Sequence, residues 1–315
     1  MTFFCFFAIV FSFLAASYAR RYHLPFVSAA GIYCCFTLLL AMAFAPGTAR
    51  GKAFRPNPWL LAAIWLTPYL IYAVTTRDFS WVSVARLLLI SASPVALYVL
   101  VPVRNLEKVS WQDIAAGTLL VSIVLSRGLA HIWNVPVNLD FMSRLFVIAV
   151  GAACWVYIRP VPGFNYELKL SPKILRSGAL YFGVFAIAGI PLGFALHFTA
   201  WNPRWRGSMD FASSFLEIFL FIALLEELFF RGFLQTLFSN SFGSRWKGQL
   251  LASCLFGLSH ILHAPVPNWR YVILATIAGW CYGSAFRSGG TVVASALTHA
   301  AVDTVWRTWL TRTSY

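Results

Sequence analysis

Acidic residues are scarce in this chain: ten Asp and Glu among 315 residues, against 24 Lys and Arg. With charged residues at 11% and hydrophobic ones at 60%, there is too little polar surface to wrap a water-soluble body of this size. That excludes a soluble globular enzyme and implies a multi-span membrane protein. The net charge of +14 does not point to nucleic acid, because the basic residues form no stripe. They sit in short connectors, at Arg20 and Arg21, at Arg50, Lys52 and Arg55, at Lys169, Lys173 and Arg176, and at Arg245 and Lys247. That distribution suits anchoring against anionic head groups. Membrane lipids are the expected partners, and no nucleic acid is.

Other absences narrow the class further. The six cysteines, Cys5, Cys34, Cys35, Cys154, Cys254 and Cys281, lie in hydrophobic runs without metal-type spacing and read as small buried hydrophobes, not as disulfides or ligands. There is no internal repeat and no low-complexity tract. No basic segment precedes the first apolar run, and Arg20 and Arg21 follow it, so that run reads as a retained helix and not as a cleaved signal.

What is present is a succession of apolar runs near the length a bilayer demands, about 17 to 25 residues. They cover residues 2 to 18, 25 to 46, 58 to 74, 87 to 103, 112 to 130, 141 to 158, 177 to 200, 211 to 238, 248 to 264, 270 to 286 and 291 to 310. The expected fold is an all-α, polytopic transmembrane helix bundle of about 9 to 11 helices. Connectors two, four and six are richer in Lys and Arg than one, three and five, which leans toward a cytoplasmic N terminus. The polar stretch from Arg159 to Arg176 is the longest interruption and carries Pro160, Pro162 and Pro172. It divides an N-terminal membrane region, 1–170, to which no role is assigned, from a C-terminal region, 171–315.

The two halves differ in chemistry. In the first, polar groups inside apolar runs are isolated. Arg86, Arg127 and Arg144 lie within about a turn of expected helix ends, where a long side chain can snorkel. His131 has no obvious acidic companion, and the many Trp and Tyr suit an interfacial belt. In the second half, Glu217, Glu226, Glu227 and Asp303 fall within apolar segments. Each such charge costs about 2.5 to 3.5 kcal/mol on an insertion scale, so the stretch Leu224 to Gly232, with Glu226, Glu227 and Arg231 in six residues, needs a reason.

At about 100° per residue, Glu227 and Arg231 are i,i+4 neighbours on one helix face, while Glu226 and Arg231 are about 140° apart. Glu227 is the natural partner of Arg231. An ion pair that locks the helix explains those two residues and leaves a second carboxylate unexplained, and an ionisable group inside a membrane bundle is a functional candidate by default. Glu217, nine residues earlier, points to the opposite side of a straight helix and is left out of the site.

Two further constellations lie downstream. Phe256 and His260 place an aromatic and an imidazole one turn apart; a lone histidine on such a helix is ordinarily a packing residue. His299 and Asp303, again i,i+4, can orient a base, bind a metal or form a plain buried hydrogen bond. His263 reads as a residue at a helix end, and Gly279 and Gly283 as a small-xxx-small packing face. Glu226, His260, His299 and Asp303 are of the right types to bind zinc, but no HExxH or comparable spacing is present.

In this order, the three motifs resemble those of the glutamic-type intramembrane endopeptidases, the family of the CAAX prenyl proteases and the bacteriocin-processing and immunity proteins. That pattern is EExxxR, then FxxxH, then Hxxx followed by Asn or Asp; here it is Glu226, Glu227 and Arg231, Phe256 and His260, and His299 and Asp303. The resemblance covers about residues 177 to 310. It implies a CAAX-protease-like domain in 171–315, in which Glu226 and His260 activate a water for attack on a peptide carbonyl. A buried carboxylate and an imidazole are side chains whose proton affinities can be matched to such a task. His299 and Asp303 correspond to the oxyanion-stabilising pair, with Asp303 either protonated or fixing the tautomer of His299. Glu227, Arg231 and Phe256 support the site from behind. The resemblance implies a site without a cofactor, with zinc on Glu226, His260, His299 and Asp303 as the minority alternative. The expected substrate is a membrane-associated protein or peptide, such as a C-terminal sorting or lipid-modified tail, and the expected location a prokaryotic cytoplasmic membrane. The competing reading is a non-proteolytic immunity factor, scaffold or transporter that reuses the same bundle.

Overall fold

A computed structural model describes residues 5–6, 9–10, 12, 16, 19–48, 51, 53–126, 128–134 and 138–312. Most of the apolar run 2 to 18 lies outside the described residues, as do Arg50, Lys52 and Arg127. The chain folds as two compact units, Met1–Val161 and Pro162–Tyr315.

The first unit is built from α1 (Phe26–Phe44), α2 (Pro58–Ile64), α3 (Thr67–Thr76), α4 (Trp81–Leu100), α5 (Trp111–Leu125) and α6 (Phe141–Ala153). Local chemistry sets their ends. Asn57 caps α2 by accepting from the amides of Trp59 and Leu60, with Pro58 at the first helical position. Ser110 and Asp113 form a reciprocal capping box at the start of α5. Helix α6 is buried along almost its whole length, from Leu145 to Ala153, and α1 packs on both α3 and α6. Trp133 meets Tyr69 and Tyr72 edge-on at 5.6 and 5.3 Å, and all three are buried. These three rings belong to a core and not to an interfacial belt, whereas Trp59, Trp81 and Trp111 of the same unit are exposed. Arg86, Arg144 and His131 are exposed, and the backbone amide of His131 donates to Asp140. The described cysteines are free; Cys35, Cys154 and Cys281 are buried, while Cys5 and Cys34 are exposed.

The second unit opens with α7 (Pro172–Ala195) and strand β1 (Thr199–Trp201). A long helix comes next: α8 (Ser208–Ile218), a π-helical stretch (Phe219–Ala223), α9 (Leu224–Glu227), a second π-helical stretch (Leu228–Gln235) and α10 (Thr236–Phe242). Gly243 ends it at φ 58°, the left-handed conformation that glycine adopts at least cost. Then come α11 (Arg245–Leu258), α12 (Trp269–Gly289), α13 (Val292–Trp309) and strand β2 (Leu310–Arg312). Ser244, Asn268 and Thr291 cap the last three helices. Helix α12 packs against α7, α11 and α13, and α13 also packs against α7 and α8. The two short strands pair antiparallel, with Thr199 opposite Arg312 and Trp201 opposite Leu310.

Among the described residues, Phe26–Gly47, Pro58–Thr76, Trp81–Leu100, Phe141–Ile158 and Pro172–Ala195 are helical spans long and apolar enough to cross a membrane. The architecture is an all-α, polytopic helix bundle, and the chain is an integral membrane protein.

Candidate active site

The acidic motif occupies a single α-helical turn, Leu224–Glu227, flanked on both sides by π-helical stretches. A π turn adds a residue and rotates the rest of the helix beyond it, so a straight-helix projection from Glu217 to Glu226 does not hold. Glu217 instead forms an exposed ion pair with Arg307 at 3.0 Å. Glu227 and Arg231 remain i,i+4 partners at 3.0 Å, with both side chains fully buried. The guanidinium has more than one support. Its Nη2 donates to the Gly279 carbonyl at 2.9 Å, and it stands 4.6 Å from the Phe256 ring centroid and 5.3 Å from that of Tyr282. A Cβ at Gly279 would come within 3.0 Å of Nη2 and 3.1 Å of the Phe256 ring. The small residue there makes room for the arginine as well as for a neighbouring helix.

Arg231 is not the only partner of Glu227. The Nδ1–H of His299, on α13, donates to Glu227 Oε1 at 2.9 Å. That bond fixes the ring from the Nδ1 side and leaves Nε2 facing the remaining acids, with Asp303 Oδ2 at 3.4 Å and Glu226 Oε2 at 4.0 Å. The acid on Nδ1 is thus Glu227 and not Asp303, a relation that crosses 72 positions of sequence and two helices. The imidazole is held in place by rings too. Tyr282 stacks on it at 4.5 Å with 15° between planes, and Phe256 meets it edge-on at 5.7 Å.

His260 lies where α11 has just ended. Its Nδ1 bonds the Phe256 carbonyl at 2.8 Å, and a carbonyl can only accept, so Nδ1 carries the hydrogen. In the neutral ring the lone pair then belongs to Nε2. Phe256 lies against this ring at 4.9 Å and Tyr271 meets it edge-on at 4.5 Å.

Glu226, Phe256, His260, His299 and Asp303 line one cavity of about 390 Å³. Glu227 and Arg231 lie behind it, touching the cavity through His299, Phe256 and Tyr282. About a third of the Glu226 and Asp303 side chains is exposed, at 34% and 38%, while His299 is nearly covered. The remaining wall is largely apolar and aromatic, including Phe185, Phe198, Ile222, Leu274 and Trp306. His263 also lines the cavity. Among the described residues no group of three or more His, Cys, Asp or Glu is arranged to hold a metal ion.

Residues 208–305 match the family described as type II CAAX prenyl endopeptidase, Rce1-like. The matched segment is similar to that family. It contains all seven motif residues, from Glu226 to Asp303, and the match supports a CAAX-type intramembrane protease in general. No curated protein and no solved structure matches the chain. The Rce1-like segment also contains Tyr271 and Tyr282, which no motif reading singled out. Several cavity residues lie outside it: Phe185 on α7, Phe198 before β1, Trp306 and Arg307 on α13, and Arg312 on β2. No local sequence signal marks them; they reach the cavity only because α7, α13 and the two strands pack around it.

Proposed function

We propose that the protein is a glutamic-type intramembrane endopeptidase in which Glu226 and His260 activate a water. The observation that carries this reading is the convergence of Glu226, His260, His299 and Asp303, from two helices and the turn that follows a third, on one largely apolar cavity. The water oxygen attacks the peptide carbonyl carbon while its proton passes to Glu226 or to the Nε2 lone pair of His260. His299 acts in its doubly protonated form: its Nδ1–H is held by Glu227 and its Nε2–H faces the cavity, where it stabilises the developing oxyanion. The proton taken from water then goes to the leaving nitrogen, the C–N bond breaks, and the products are a carboxylate and an amine. Asp303 and Glu227 flank the His299 ring, and Arg231 balances the buried charge of Glu227.

The reading has no metal in it: the nitrogens of His299 face carboxylates and the Nδ1 of His260 faces a backbone carbonyl. A cavity walled by aromatic and aliphatic side chains suits an apolar segment. We infer that the substrate is a membrane-associated protein or peptide, including C-terminal sorting or lipid-modified tails, and that the enzyme works in a prokaryotic cytoplasmic membrane. The test uses purified full-length protein in lipid nanodiscs with a library of apolar peptides. Cleavage is expected from the parent protein and none above background from Glu226→Gln or His260→Ala of unchanged melting temperature. Equal cleavage by parent and Glu226→Gln would overturn the mechanism.

A further inference from the structure

Arginine is found at both the structural and the open side of this cavity, and the two sides are used differently. Arg231 is buried and engaged by Glu227. Of the two guanidiniums on the cavity wall, Arg307 is engaged by Glu217 at 3.0 Å. Arg312 is exposed, lines the cavity and, among the described residues, has no carboxylate partner.

Its position is nonetheless fixed. It stands on β2, in antiparallel register with Thr199 of β1, and its guanidinium lies 4.8 Å from the centroid of the Tyr271 ring. That same ring meets His260 at 4.5 Å. Two short steps therefore separate the cation from the imidazole, a span of about two to three residues of extended chain at roughly 3.3 to 3.6 Å each. A second guanidinium, that of Arg204, bonds the hydroxyl of the adjacent Thr311 and adds positive charge to the same strand. The acids of the cavity wall, Glu226 and Asp303, already face His299.

Resting on the proteolytic reading above, we propose that Arg312 is a specificity-determining residue that binds a carboxylate of the substrate close to the scissile peptide. The planar guanidinium offers a two-pronged set of donors matched to a carboxylate, and Tyr271 holds it in place while leaving that edge free. The carboxylate is either the terminus of the peptide or an Asp or Glu side chain; the chemistry recognised is the same, and experiment separates the two sources.

The test measures binding to full-length Glu226→Gln protein in nanodiscs, so it does not depend on cleavage. The probe is an apolar hexapeptide with an uncharged fluorophore, made as the C-terminal acid, as the amide, and as the amide with one Glu among its last three residues. At least one carboxylate form is expected to bind about tenfold or more tighter than the plain amide, as a charge-assisted hydrogen bond allows. Adding Arg312→Gln brings that ratio close to one, Arg312→Lys restores part of it, and Arg245→Gln, an exposed arginine away from the cavity, leaves it intact. Which form binds tightest identifies the source of the carboxylate. No preference for either carboxylate form, or a preference that survives Arg312→Gln in a folded protein, overturns the proposal. The parent protein is then assayed for cleavage of the same peptides. Preferential binding without cleavage sinks the proteolytic reading alone; cleavage indifferent to the carboxylate sinks the role of Arg312 alone.

Discussion

Each of the two units buries a carboxylate–arginine pair, and the pairs are finished differently. In the first unit Asp113 and Arg159 leave little capacity unused. Arg159 meets the carboxylate through Nε at 3.0 Å and Nη2 at 3.1 Å and gives its remaining donors to the carbonyls of Leu106, Lys108 and Pro160. Asp113 also accepts from Tyr98 and from the amide and hydroxyl of Ser110. In the second unit Glu227 meets Arg231 through a single contact, shares that oxygen with His299, and leaves Glu227 Oε2 and Arg231 Nε buried without a hydrogen bond. A fully bonded pair is a fastener. A partly bonded pair beside a cavity, next to a second carboxylate, holds electrostatic capacity that chemistry can draw on. Burial of opposite charges does not by itself mark a site; what sets the proposed site apart is the less completely bonded pair with Glu226 beside it on the cavity wall.

The sharpest way to break that contrast is to remove one acid from each unit. Glu226→Gln is expected to lower the cleavage rate by about 10²- to 10⁴-fold, the range for loss of a positioned acid–base group, with little change in melting temperature. Asp113→Ala is expected to do the reverse. It strands a buried guanidinium at a cost of about 3 to 5 kcal/mol, read as a large drop in melting temperature in detergent, while any protein that stays folded keeps its rate. If Asp113→Ala slowed cleavage without destabilising the protein, the first pair would not be a mere fastener.

How much of this was legible beforehand depended on whether a relation was local. The spacing of Glu227 and Arg231 places them together, and they are found at 3.0 Å; the three motifs bring their residues to one cavity wall or just behind it. Hydropathy alone gives the helical, membrane-embedded class. What escaped has physical reasons. A π-helical turn leaves no periodic trace in residue type, so the rotation between Glu217 and Glu226 could not be anticipated. The Glu227–His299 bond and the Asp113–Arg159 pair join residues 72 and 46 positions apart, with no local spacing to betray them. Tyr271, Tyr282 and Arg312 belong to residue types common in interfacial belts and connectors and are recognisable only by what they touch.

An intermediate effect is expected at Glu227, which belongs to both sides of the contrast. Glu227→Gln keeps a carbonyl oxygen that can accept from His299 or Arg231 but removes the charge that balances the guanidinium. A stability loss of about 1 to 3 kcal/mol is expected, read as a lower melting temperature, together with a rate reduced by about 10- to 100-fold, itself worth about 1.4 to 2.7 kcal/mol. A change confined to stability would make the pair a fastener like that of Asp113. A change confined to rate would place Glu227 wholly in the chemistry.

The smallest effects separate two tyrosines that serve the two pairs by opposite ends. Tyr98 reaches Asp113 through its hydroxyl at 3.2 Å, whereas Tyr282 supports His299 with the face of its ring at 4.5 Å. Tyr98→Phe therefore deletes the bond to a charged acceptor and is expected to cost about 1 to 2 kcal/mol of stability. Tyr282→Phe retains the stack, whose worth is about 0.5 to 1.5 kcal/mol, and should leave both melting temperature and cleavage rate nearly unchanged. A rate loss of more than about tenfold in Tyr282→Phe, or about 1.4 kcal/mol, would mean that the hydroxyl itself meets the substrate. The oxyanion would then have a donor besides His299, and the capacity left open in the second unit would extend beyond its acids to an aromatic ring that packing alone had seemed to explain.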